Sequence, residues 1–199
     1  MTQTHLVTER TTRQTLTGVR ECSSVRAPIR ALAEYLESLE FPVTTGGIHQ
    51  KLKVVRDRMA QPEELAEYPG ASILLEGGAQ YGSEDGGLQP MSDPEGLLPD
   101  GNTIFIVGEV QASLSVRVWT NEDEDREDAI ILLEDALNPL DWMSGFWLEM
   151  PHYCGLRATF QMMEVGYEDG ESHNMRRYRK ANFRVKVVSP VARLLKFPG

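Results

Sequence analysis

TIFIVGEVQASLSVRVWT, residues 103–120, is the strongest strand signal in the chain, dense in β-branched and aromatic residues. From Leu114 onward it alternates: Leu114, Val116 and Val118 share one side, and Ser115, Arg117 and Trp119 share the other. One face of this strand therefore belongs to a core and the other is polar. Eighteen residues exceed an ordinary strand, which predicts a bend near Gly108 or a division into two strands.

Immediately after it, Thr120 or Asn121 is placed to cap a helix. The acidic Glu122-Asp123-Glu124-Asp125 sets negative charge against the positive end of the helix dipole. Ala129, Ile130, Leu133, Ala136 and Leu137 form the apolar stripe, and Asn138-Pro139 ends it. Upstream, Val25, Ile29, Leu32, Leu36 and Leu39 recur every three or four residues and predict an earlier amphipathic helix. Ser23 or Ser24 would cap it, Pro28 falls in its first turn, and it stops before Phe41-Pro42. Gly46-Gly47 turns the chain into a β-like run from Ile48 to Arg56, with Leu52, Val54 and Arg56 on one side; Ala71 to Glu76 is a further strand.

Downstream of the second helix lies an aromatic-rich connection containing Trp142, Phe146 and Trp147. Two β stretches follow, Gly155 to Tyr167 and Arg176 to Val188, expected to pair as a long hairpin about Glu168-Asp169-Gly170. The fold class is α/β in the α+β sense: a mixed, mostly antiparallel sheet with two main amphipathic helices packed on it. Residues 1–22 read as an extended arm, and residues 23–199 as a single domain with an inserted Gly/Pro-rich loop at about 77–102.

With 41% hydrophobic and 25% charged residues the chain has the composition of a folded domain. It has no run of eighteen apolar residues and no apolar core near its start, which predicts a protein made in the cytoplasm with no membrane partner. A net charge of −10 argues against a general nucleic-acid binder. Between Arg58 and Arg117 there are ten carboxylates and no Lys or Arg, whereas from Ser172 onward there are eight basic residues and no acidic one. Two readings stand: differently charged solvated faces, or an acidic face of one subunit meeting a basic face of its neighbour. The basic group Arg176, Arg177, Arg179 and Lys180 is either a charged strand edge or half of such a contact. Trp142, Phe146 and Trp147 either cap the core or anchor a subunit interface.

The residues offer little for a reaction centre. His5, His49, His152 and His173 form no metal-binding spacing, and Cys22 and Cys154 form no C-x-x-C pair. His152 and Cys154 would point to the same side of a strand, so a thiolate pair is geometrically conceivable, but no third orienting group or oxyanion donor is signalled. Asp123-x-Asp125-x-Glu127 lacks the glycine and terminal glutamate of a calcium loop, and the glycine pairs lack the Lys-Ser/Thr of a phosphate cradle. The expectation is a non-enzyme without cofactor or metal.

The order of features from Val110 to Val188 resembles the tail terminator, or tail-completion, proteins of tailed phages. The residues carrying the resemblance are Ser115-Val116-Arg117-Val118-Trp119, the helix start Arg126-Glu127-Asp128-Ala129, and the loop Leu148-Glu149-Met150-Pro151-His152-Tyr153. Ala158-Thr159-Phe160, Tyr167-Glu168-Asp169 and the basic strand from Arg179 to Val188 complete the set. The resemblance implies a virion structural protein forming a homo-oligomeric, six-membered ring at the head-proximal end of the tail tube. That ring stops tube polymerisation and joins tail to neck. Its partners would be the tail tube protein, a neck or head-completion protein, and a sheath where the tail is contractile. DNA would pass through without specific binding, and Glu84, Asp85, Asp93, Glu95 and Asp100 would then suit a phosphate-repelling lumen. The alternatives are a neck or head–tail connector, a tail tube subunit, or a small enzyme using His152 and Cys154.

Overall fold

The computed structural model describes residues 24–43, 48–56, 69–82, 89–91, 102–120, 123–138, 145–150, 156–171 and 177–196. In chain order these form α1 (Arg26–Ser38), β1 (Glu40–Val43), β2 (Ile48–Lys51), β3 (Lys53–Arg56), β4 (Gly70–Gly82) and β5 (Gln89–Met91). They continue with β6 (Asn102–Thr120), α2 (Asp123–Leu137), β7 (Phe146–Glu149), β8 (Arg157–Glu171) and β9 (Arg177–Lys196). The main sheet runs β3-β4-β6-β9-β8-β7, with β5 beside β6; β3 and β4 are parallel and every other neighbouring pair is antiparallel. The fold is α+β with a mixed sheet.

The run at 103–120 lies in one strand of 19 residues, Asn102–Thr120, not two. Its length is absorbed by a register shift against β9 between Ile106 and Gly108, as the glycine suggested. Its alternation decides which face is core. Ala112, Leu114, Val116 and Val118 lie opposite Val187, Val185, Phe183 and Ala181 of β9, and all eight are buried. The cluster continues through Ala71 and Ile73 of β4 and Ala158 and Phe160 of β8. Ile29, Leu32 and Leu36 of α1 and Ala129, Leu133 and Leu137 of α2 cover it, which is the spacing read from the sequence. Burying each such Leu, Ile or Phe stabilises the fold by about 1.5–3 kcal/mol.

The two helices are tied by a hydrogen bond that satisfies a helix end. Carbonyls in the last turn of a helix lack an intrahelical donor, and the Tyr35 hydroxyl donates to Ala136 O at 2.9 Å. The Tyr35 ring lies 5.6 Å from that of Phe146, which stacks on Phe160 at 5.4 Å. Burial raises the Tyr35 pKa, because the phenolate would lose solvation.

Local chemistry departs from expectation at several places. The N-cap of α1 is Val25 with no side-chain cap bond, so Ser24, itself buried, does not cap; Ser23 lies outside the described residues. Phe41-Pro42 stops the helix as expected but then enters β1, which pairs with β2 in a separate two-stranded sheet. The run from Ile48 to Arg56 is therefore two strands, divided at the buried Leu52, and only β3 joins the main sheet. Gly77-Gly78 does not open a loop: β4 continues through it to Gly82, with a register shift between Glu76 and Gln80 and Gly77 at φ 69°. Residues 89–91 and 102 are likewise strand, whereas 83–88 and 92–101 lie outside the described residues, as does the arm at 1–22. The β8–β9 hairpin forms as predicted, but Glu168-Asp169-Gly170 is strand, opposite Lys180, Arg179 and Tyr178.

Two stability predictions follow from this geometry. Gly145 has φ 68°, and a Cβ there would overlap the Phe160 carbonyl, whereas a Cβ at Gly78 meets nothing. Gly145→Ala should cost roughly 2–4 kcal/mol in urea denaturation, and Gly78→Ala should stay within about 0.5 kcal/mol. For Tyr35, a raised folded-state pKa means the unfolded chain loses its proton first. Stability is then intact below pH 10 and falls as pH rises through the folded value. Tyr35→Phe should cost about 1 kcal/mol at neutral pH and flatten that alkaline decline.

Candidate subunit interface

The face of the sheet opposite the helices carries the buried Trp119 together with polar side chains that bind one another. Ser115 Oγ donates to Asn182 Oδ1 at 2.6 Å and accepts from Arg117 Nε at 3.3 Å, so this fully buried hydroxyl is satisfied on both counts. Arg184 on β9 reaches past β6 to Glu76 on β4, with Nε to Oε2 at 3.2 Å, and also meets Glu164 on β8, with Nη1 to Oε2 at 2.8 Å. One guanidinium thus spans four strands. Its side chain is half exposed, so each pair contributes no more than about 1 kcal/mol.

Of the aromatic group, Phe146 and Trp147 are strand rather than connection, and they point to opposite sides of β7. Phe146 is core, 6% exposed between Tyr35 and Phe160, and has no surface to offer a neighbour. Trp147 is 53% exposed, with the Arg157 guanidinium 3.8 Å from its ring centroid. That cation–π contact fastens the indole to the guanidinium while leaving much of it in solvent. Trp142 lies outside the described residues.

Arg179 and Lys180 do not lie at a sheet edge, because β9 is flanked there by both β6 and β8, whereas Arg177 pairs with β8 beyond the end of β6. The register sets Arg177, Arg179 and Lys180 opposite Glu171, Asp169 and Glu168. Part of the charge segregation read along the chain is thereby matched within one hairpin. Arg176 and the carboxylates Glu84, Asp85, Asp93, Glu95 and Asp100 lie outside the described residues, as do His152 and Cys154. The latter two fall between Met150 and Leu156, whose N–H and carbonyl are joined at 2.8 Å. Among the described residues no three His, Cys, Asp or Glu side chains gather at metal-binding distance, and no helix is long and apolar enough to cross a membrane.

Sequence reading missed a different group. The exposed large apolar side chains of the described residues are Leu75, Tyr81, Ile131, Trp147, Met163 and Tyr167. All but Ile131 lie on β4, β7 or β8, and none is among the described side chains of the interior strands β6 and β9. The Gly77-Gly78 pair hid Tyr81 in an apparent loop, and the register shift between Met162 and Glu164 broke the alternation that would have flagged Met163.

Phe146→Ala should cost about 3–5 kcal/mol in chemical denaturation, as for an aromatic lost from a packed core. Trp147→Ala should cost less than about 1 kcal/mol, which separates a core aromatic from a surface one. No family model matches this chain, and no curated protein matches it in sequence.

Proposed function

We propose that this chain is a self-assembling structural subunit, specifically a tail terminator that closes into a ring at the head-proximal end of a phage tail tube and joins it to the neck. The observation that carries the assembling part is the placement of exposed apolar surface. Leu75, Tyr81, Trp147, Met163 and Tyr167 all sit on the lateral strands, where a neighbouring subunit can reach them. Aromatic and Met side chains in such positions are the usual anchors of subunit contacts. The choice of tail terminator rests on the element order from Val110 to Val188 and its resemblance to that family. On this reading the tube protein and a neck protein are the partners, and the carboxylates Glu84, Asp85, Asp93, Glu95 and Asp100 face a bore that passes DNA without holding it.

Electron microscopy of the purified protein, with mass measurement, tests the reading. Closed rings of uniform size that cap tail tubes are expected, with these carboxylates on the bore. Long cylinders formed by the protein alone would identify a tube subunit instead. A monomer at all concentrations, with and without tubes, would overturn the proposal, and a bore lined by Arg and Lys would overturn the lumen assignment.

A further inference from the structure

We infer that the subunits join edge to edge, the free part of β8 in one copy pairing antiparallel with the free part of β4 in the next. This rests on the reading of the chain as self-assembling and specifies the contact it would use.

Both lateral strands are only partly covered among the described residues. β3 pairs with β4 over Gly70–Ile73 alone, leaving residues 74–82 without a strand on their outer side. β7 pairs with β8 from Arg157 to Phe160, leaving residues 162–171 without a described strand on their outer side. These segments span about 30 Å and 33 Å at roughly 3.3 Å per residue, so they are similar in length. Each offers outward backbone donors and acceptors, the usual template for a further strand.

Their placement fits them to each other. β4 runs antiparallel to β6, β6 to β9 and β9 to β8, so β4 and β8 of one copy are antiparallel, and a copy moved sideways presents its β4 correctly to β8. β3 and β7 cover opposite ends of opposite edges, which leaves the free segments diagonal. Two copies offset along the strands therefore meet as a lap joint, with the end of β7 against one end of the neighbour's β4 and the neighbour's β3 beyond the end of β8. Leu75, Tyr81 and Tyr167 lie opposite Leu114, Val110 and Ala181, so all three emerge on the helix-bearing side and meet across the joint. Arg126 lies 6.0 Å over the Tyr167 ring and holds it there.

The occupant is a second copy rather than a foreign strand, because each free segment is irregular and bounded. Both carry register shifts, Glu76/Gln80 and Met162/Glu164, which discourage pairing with a flat generic strand. The contact is heterologous, so each copy uses both edges, and the offset at each joint is the stagger that closing a sheet requires.

The test uses the full chain with Cys22→Ser and Cys154→Ser. Tyr81→Cys and Tyr167→Cys are made in separate preparations, mixed, and treated with a short bis-maleimide. The mixture should give a cross-linked dimer at least tenfold above either preparation alone, and a chain carrying both changes should give a ladder ending at the ring size. Oligomers that persist while cross-links form only within a single preparation, or not at all, would overturn the edge joint but leave assembly standing. A monomer in sedimentation would overturn both. Where either variant loses its native circular dichroism, Leu75→Cys and Val165→Cys on the same face replace them with the same expected outcomes.

Discussion

The β6–β9 ladder is the constraint on which the rest depends. It runs from Asn102↔Lys196 to Thr120↔Arg179 with one irregularity, and every other strand of the main sheet reaches the core through one of these two. Because side chains alternate strictly along it, fixing its register fixes a buried face and a polar face over the whole sheet. A slip of one residue would turn Leu114, Val116 and Val118 out of the core and Ser115 and Arg117 into it. The buried Ser115–Asn182 hydrogen bond is made only in the correct register, so the polar face helps to specify what the apolar face stabilises.

Much of this was legible because it obeys periodicity. The stripes of both helices, the alternation from Leu114 to Val118 and the final hairpin all came from spacing alone. What was not legible depended on partners distant in sequence. Gly77-Gly78 is a turn signal by composition, but pairing with β6 on both sides of it turns it into an irregularity within one strand. Ser24 has the chemistry of a cap but is buried, and Val25 occupies the cap position. Phe146 and Trp147 are adjacent aromatics of similar character, and only the pleat of β7 assigns one to the core and the other to the surface. The exposed side chains of β4, β7 and β8 were hidden for the same reason, since their exposure depends on how the strands pair.

The charge pattern changes meaning once register is known. Read linearly, an acidic middle and a basic end suggest two faces awaiting different partners. Read across the hairpin, Glu168, Asp169 and Glu171 stand opposite Lys180, Arg179 and Arg177, and Arg184 joins Glu76 and Glu164 across four strands. Opposite charges facing each other across strands add little stability, but like charges at these register positions would oppose the pairing, so their effect falls on specificity.

The position of β9 between β6 and β8 also governs how the chain acquires its fold. β9 follows both of its neighbours in sequence, so neither half of the sheet can be completed as it emerges from synthesis. Until β9 arrives, β6 lacks its partner on one side, β8 lacks its own, and the core faces of both are open to water. Contacts of this kind close long loops before they gain stability, which slows folding and lengthens the interval in which unpaired strands can join the wrong neighbour.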